Sequence, residues 1–176
     1  MTSGAALDLR DRVRDVPDFP KPGIVFKDLM PLVADAMYFR ETIDRLAELA
    51  RPRQPDIILG AEARGFIFGG ALADRLGCGF VPARKPGKLP WHTVEATYDL
   101  EYGTDSLQIH ADAISKGTRV IVHDDVLATG GTAKAKTELV ERLGGEVVSL
   151  LFVVELTFLN GRDKLTGYDV ESLIQY

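Results

Sequence analysis

Arg119–Ala133 reads RVIVHDDVLATGGTA. The apolar run Val120, Ile121, Val122 predicts a buried strand, and two carboxylates, Asp124 and Asp125, stand at its end. Ala128, Thr129, Gly130, Gly131 and Thr132 make a turn of small residues, after which helical spacing begins. Glycines let backbone N–H groups crowd around an anion, and a helix N-terminus favours negative charge there. The aspartates just upstream suit sugar hydroxyls or a hydrated Mg²⁺. One turn can thus hold a sugar by its phosphate at one end and its diol at the other. The string lacks the spacing and the Gly-Lys-Ser/Thr ending of a Walker-type loop, and the chain has no GxGxxG.

The flanking elements alternate. Asp56–Gly60 reads as a short strand, Gly65–Leu76 as a helix ended by Gly77, and Gly79–Ala83 as a strand. Thr132–Leu143 is the helix after the turn, and Glu146–Val154 is a β-branched run suited to a central strand. A short helical piece near Asn160–Leu165 and a strand near Val170–Ile174 follow. Toward the N-terminus, Leu9, Val13 and Val16 give Leu7–Val16 helical spacing, and DFPKPG (Asp18–Gly23) forces a loop. Asp35 caps a helix to about Arg51, with Ala36, Phe39, Ile43, Leu46, Ala47 and Ala50 near one face. Thr97–Tyr102 and Ser106–His110 flank a hairpin turn. The expected fold class is α/β: a Rossmann-like parallel sheet flanked by helices, in a single domain over 1–176. Ligands then sit at the carboxyl ends of the strands.

Three further segments bear charge at or over those ends. Arg64, where Ala61–Gly65 enters a helix, makes a second anion site beside free N–H groups, or is a surface arginine in an ordinary turn. Arg84, Lys85 and Lys88 lie in a Gly/Pro-rich loop, either a solvated face or a basic lid closing over a pyrophosphate. Tyr98–Gly103 mixes aromatics and carboxylates, as edge-strand decoration or as a lid bringing Glu101 and Tyr102 over the reacting atoms. Phe26, within VFKD after the DFPKPG loop, is a core anchor or a stacking platform for a base.

Bulk properties exclude several classes. The 176 residues carry a net charge of −5, which gives no general attraction for nucleic acid or an anionic membrane. No apolar run approaches the ~20 residues of a membrane helix, and the N-terminus lacks a signal peptide's apolar core. Cys78 is the sole cysteine, which leaves no intrachain disulfide, and a cytoplasmic protein is expected. His92, His110 and His123 have no metal-ligand spacing, and His123, in an apolar strand, reads as a satisfied structural histidine.

Five strings together carry a resemblance: DFPKPGIVFKD (Asp18–Asp28), GAEARGFIFG (Gly60–Gly69), RKPGKLP (Arg84–Pro90), YDLEYGTDSLQIH (Tyr98–His110) and HDDVLATGGTA (His123–Ala133). The last resembles the phosphoribosyl-pyrophosphate motif of type I phosphoribosyltransferases. The first and YDLEYG resemble the adenine-specific members of that family. The resemblance implies transfer of a 5-phosphoribosyl group from phosphoribosyl pyrophosphate to adenine, giving AMP and pyrophosphate, with Mg²⁺, in a homodimer. It implies an N-terminal hood (1–34) and a flexible loop and lid hairpin (85–110). Ala128, Thr129, Gly130, Gly131 and Thr132 would take the 5′-phosphate, and Asp124 and Asp125 the ribose. Arg64, Arg84 and Lys88 would take pyrophosphate. Phe26 and Val126 would sandwich adenine, read by the backbone of Val25 and Lys27. Glu101 and Tyr102, with Arg64, would be catalytic. The metal would be held mainly through the substrate, with no direct protein ligand assigned. The alternatives are another purine or xanthine phosphoribosyltransferase, or a sensor that binds phosphoribosyl pyrophosphate without turnover. The sensor would need a DNA-binding module or basic surface that this acidic chain lacks.

Overall fold

A computed structural model describes residues 7–99 and 103–176. Glu101 and Tyr102 lie outside those residues. Five parallel strands make the central sheet: β3 (Ile57–Ala61), β4 (Gly79–Ala83), β7 (Arg119–Leu127), β8 (Glu146–Glu155) and β9 (Val170–Gln175). Their spatial order is β4-β3-β7-β8-β9. The chain moves from β3 to β4 on one side and resumes at β7 on the other. The direction of winding therefore reverses between β3 and β7, where an open α/β sheet leaves a crevice at its carboxyl edge.

Each sheet face is covered. α2 (Ala36–Ala50), α3 (Arg64–Leu76) and the short α1 (Met30–Ala34) bury Leu32, Leu46, Phe68 and Leu72 against Ile58, Ile121 and Leu151. On the opposite face, α4 (Gly131–Arg142) buries Ala135, Leu139 and Val140 against Leu59, Val120, Val122 and Leu150. The hairpin of β5 (Thr93–Asp99) and β6 (Thr104–His110) shares that second core, anchored by Ala96, Leu107 and Ile109. Among the described residues no helix is long and apolar enough to cross a membrane.

Three expectations change. Leu7–Val16 is not a helix. Asp8 caps one 3-10 turn (Leu9–Arg12), accepting from the Arg10 N–H at 3.0 Å, and the chain then becomes β1 (Arg14–Pro17), paired antiparallel with β2 (Val25–Asp28). Cross-strand pairing, with ion pairs Arg14–Asp28 at 2.8 Å and Lys27–Asp15 at 2.7 Å, overrides a weak helical period. In α2, Asp35 caps as expected, through N–H donors of Met37 and Tyr38, but the buried stripe runs through Tyr38 and Thr42 and leaves Ala36 exposed. Finally, β7 does not stop at His123. It continues to Leu127, pairing Asp124 with Phe152 and Val126 with Val154. The aspartates are therefore held by a sheet ladder rather than by a loop.

Candidate active site

A cavity of about 580 Å³ opens at the carboxyl edge, where β3 and β7 end. β2 contributes Val25, Phe26 and Lys27 to its wall. The start of α3 contributes Arg64, and β7 contributes Asp124, Asp125 and Val126. Ala128–Thr132 form the floor. The sequence-predicted residues of three strings thus meet in one cavity. Arg84 and Lys88 do not line it: the Arg84 guanidinium donates to Glu62 Oε2 at 2.9 and 3.2 Å and to the Lys88 carbonyl at 3.3 Å. Lys85 lines it instead.

The anion cradle is built by glycine. Gly130 sits at φ +81° as the residue before α4, a conformation an L side chain rarely adopts. A Cβ there would lie 2.3 Å from the Gly161 carbonyl oxygen, and a Cβ on Gly161 would lie 2.3 Å from that of Ala128. The cradle therefore rests backbone to backbone on the 3-10 turn Gly161–Leu165. That turn is pinned by Arg162, whose guanidinium grips the buried Glu155 carboxylate at 2.6 and 2.7 Å. At the open side, the first N–H groups of α4 lack intrahelical acceptors and carry the positive end of the helix dipole.

The two aspartates differ in environment. Asp124 accepts from the Lys136 ammonium at 2.8 Å, and its Oδ1 accepts from the Asp125 N–H at 3.0 Å. Gly65 makes room for it, since a Cβ there would lie 2.7 Å from Oδ1. Asp125 is buried 2.7 Å from Arg64 Nε, yet that N–H is not aimed at Oδ2, which has no hydrogen bond among the described residues. Burial, followed by the Asp124 charge, pushes the Asp125 carboxyl up to about 7, against the pull of Arg64. Arg64 also lies over the Phe26 ring, 5.0 Å from its centroid.

At the opposite rim, Lys85 pairs with Asp105, and Tyr98 donates to Asp105 at 3.3 Å. The hydrogen bond to Lys85 holds the Asp105 carboxyl below its ordinary range. Burial raises Glu62, but the Lys85 N–H at 2.6 Å and Arg84 outweigh it and leave that carboxyl below its ordinary range too.

His123 is not satisfied. It is fully buried, neither ring nitrogen makes a well-aligned hydrogen bond among the described residues, and Phe68 packs beside it with ring centroids 6.4 Å apart. Burial pushes its pKa down to about 4, so the ring is neutral. Sequence reasoning missed Glu62, Tyr98, Gly161 and Lys136. Glu62 and Tyr98 stand inside quoted strings without a role of their own, Gly161 left no signal, and Lys136 interrupts the apolar stripe Ala133–Val140 on a helix face whose other members are core.

Residues 36–171 match the model of the phosphoribosyl transferase domain. The matched stretch holds the cradle, both aspartates and Arg64, while β2 precedes it. The adenine phosphoribosyltransferase of Thermotoga maritima is 58% identical over 170 residues, covering 97% of this chain and 98% of that protein. The crystal structure of adenine phosphoribosyltransferase from Thermoanaerobacter pseudethanolicus superposes with a TM-score of 0.94 at 56% identity, covering 96% of this chain and 98% of that one. The Saccharomyces cerevisiae enzyme, crystallised with D-2,5-dideoxy-2,5-imino-altritol 1,6-bisphosphate and adenine, superposes with a TM-score of 0.88 at 44% identity, covering 94% and 96%. Fold, cradle and relatives agree: the chain belongs to the phosphoribosyltransferase family and, within it, to the adenine phosphoribosyltransferases.

Proposed function

We propose that this cavity transfers the 5-phosphoribosyl group of phosphoribosyl pyrophosphate to adenine, releasing pyrophosphate and forming AMP. The observation that carries the reading is the cradle Ala128–Thr132 at the N-terminus of α4, with two carboxylates one strand-end away and an aromatic ring on the facing wall. The yeast relative, crystallised with a bisphosphate sugar mimic and adenine together, supports it.

The 5′-phosphate docks on the N–H groups and hydroxyls of Ala128–Thr132. Asp124 and Asp125 accept from the ribose hydroxyls. Adenine lies between Phe26 and Val126. The Val25 carbonyl accepts from its exocyclic amine, and the Lys27 N–H donates to N1. As the bond from C1 to pyrophosphate breaks, positive charge grows on the ribose and negative charge on the leaving oxygens. Arg64 stands beside that space, and Arg84 and Lys88 reach it when the loop they sit on closes. Adenine N9 takes the vacated position on C1 and loses its proton, which we assign to Glu101. Glu101 and Tyr102 belong to the lid. Near-normal turnover in Glu101→Gln would refute that assignment.

Mg²⁺ fits this site as a companion of the substrate. No group of three or more His, Cys, Asp or Glu side chains able to hold an ion occurs among the described residues, and Asp124 and Asp125 already face Lys136 and Arg64. The ion would ride on phosphoribosyl-pyrophosphate oxygens and neutralise charge on the leaving group.

The assembly is a homodimer in this reading, with the Arg84–Lys88 loop near the partner subunit. Conversion of adenine to AMP by the purified chain, with phosphoribosyl pyrophosphate and Mg²⁺, tests the function. Conversion dependent on both substrates is expected. No conversion by folded protein would overturn the reading.

A further inference from the structure

Lys136 has no part in the reaction described above, yet it is a fully buried charge beside the candidate site. Its side chain is 0% exposed, on the second turn of α4. Lysine is almost never fully buried unless paired. Here the ammonium donates to the His123 backbone oxygen at 2.7 Å and to Asp124 Oδ2 at 2.8 Å. Burying an ammonium costs several kcal/mol of hydration, and an apolar side chain of similar volume often substitutes at no loss of stability. The neighbouring stripe residues Ala133, Leu139 and Val140 show that this helix face otherwise packs as apolar core. Packing alone does not call for a cation at this position.

What the cation does is hold one carboxylate. Asp124 is clamped from three elements. Lys136 holds Oδ2 from α4, the Asp125 N–H holds Oδ1 from β7, and the bare Gly65 lets the group lie against α3. The side chain keeps 14% exposure, at the cavity it lines. Its neighbour Asp125 is held differently: the facing Arg64 lies 2.7 Å away but is 37% exposed and makes no hydrogen bond to Oδ2. The same helix therefore presents the phosphate cradle at its N-terminus and sets the ribose-facing carboxylate one turn later. The spacing between the two subsites is built into a single rigid element.

We propose that Lys136 is a positioning residue that fixes Asp124 for the ribose hydroxyls of phosphoribosyl pyrophosphate, an inference that rests on the assignment of Asp124 to the ribose. Misorienting a group of this kind costs roughly 10- to 100-fold in related settings.

The test is steady-state kinetics on Lys136→Met, Asp124→Asn, the double variant and Lys134→Met, each with phosphoribosyl pyrophosphate and adenine varied in turn. Lys134 lies on the same helix, over the Tyr168 ring, and serves as the control. Lys136→Met is expected to raise KM for phosphoribosyl pyrophosphate roughly 10- to 100-fold while KM for adenine stays within about twofold. The double variant should be no worse than Asp124→Asn, because the lysine would act only through that carboxylate. Lys134→Met should match the parent. A folded Lys136→Met with unchanged KM for phosphoribosyl pyrophosphate, beside an impaired Asp124→Asn, overturns the inference and leaves the site reading standing. Equal rises in both KM values indicate general loosening and also overturn it. An unimpaired Asp124→Asn overturns the ribose assignment itself, and this inference with it. Should Lys136→Met not fold, Lys136→Gln, which is shorter and keeps an amide NH2 without the charge, is judged by the same criteria.

Discussion

His123 carries two nitrogen atoms into an apolar layer, where neither makes a well-aligned hydrogen bond among the described residues and the Leu151 backbone offers only a weak interaction. An unsatisfied buried donor costs about 1–3 kcal/mol, so His123→Val should stabilise the fold at neutral pH. The pH dependence has a definite sign. The folded histidine protonates only near 4, while an unfolded one protonates near 6.5, so the unfolded state holds more protons between those values. Stability therefore falls as pH drops through that window. The advantage of His123→Val should be about 2 kcal/mol larger at pH 5 than at pH 7, read from urea unfolding. A pH-independent difference would contradict the burial argument. Asp125 runs the other way. Its raised carboxyl keeps a proton in the fold that the unfolded chain has lost, so its contribution to stability declines as pH rises from the usual carboxylate range toward 7. The same shift bears on the proposed ribose contact, since the ionised group is the stronger acceptor for two hydroxyls. Affinity for phosphoribosyl pyrophosphate should rise up to roughly tenfold between pH 6 and pH 8 in the parent, beyond any rise in Asp125→Asn. Parallel profiles in a calorimetric titration would refute this.

At the scale of elements, the cradle depends on a turn that makes no contact a sequence motif would flag. Gly161 and Gly130 press backbone on backbone, and Arg162 locks that turn to β8 through Glu155. Gly161→Ala places a methyl 2.3 Å from the Ala128 carbonyl, where only the cradle's own backbone can yield. KM for phosphoribosyl pyrophosphate should rise at least about tenfold, with the fold retained by circular dichroism. An unchanged KM would show that the cradle does not need this buttress. The strands β3, β4, β7, β8 and β9 and the helices α2, α3 and α4 were legible because their apolar patterns and bounding residues are local signals. Asp35 and Gly77 are the plainest cases. β1 was not legible. Its identity depends on pairing with β2 across a loop, a non-local contact that the spacing of Leu9, Val13 and Val16 cannot report. The end of β7 was misplaced for a related reason: two aspartates look like a strand terminus until β8 is seen to pair with them. Tyr98 and Gly161 reach the site through tertiary packing, and Glu62 gains its partners Arg84 and Lys85 the same way.

At the scale of the molecule, the reversal of winding between β3 and β7 gathers the cradle, the carboxylates and Arg64 at one edge, and the β1–β2 hairpin brings Phe26 to them. In the proposed reading, phosphate chemistry sits on the sheet, while the base is read by Val25–Lys27 on β2, which precedes the matched domain, and by Val126 within it. In that reading the choice of base is set chiefly by the backbone of β2. The proposed dimer predicts a solution mass twice 19.3 kDa by light scattering, and a mass of one chain at working concentration would refute it. Hypoxanthine offers a carbonyl where adenine offers an amine, and an N1–H where adenine has a lone pair. Each mismatch leaves a buried group unpaired, at about 1–3 kcal/mol. The decisive measurement is pyrophosphate release by the purified chain with Mg²⁺ and phosphoribosyl pyrophosphate, supplied in turn with adenine, hypoxanthine, guanine, xanthine, uracil and orotate. Release with adenine alone is the predicted result. Release with another base at a comparable rate would contradict the account of Val25–Lys27, and silence with every base would contradict the account of the reaction.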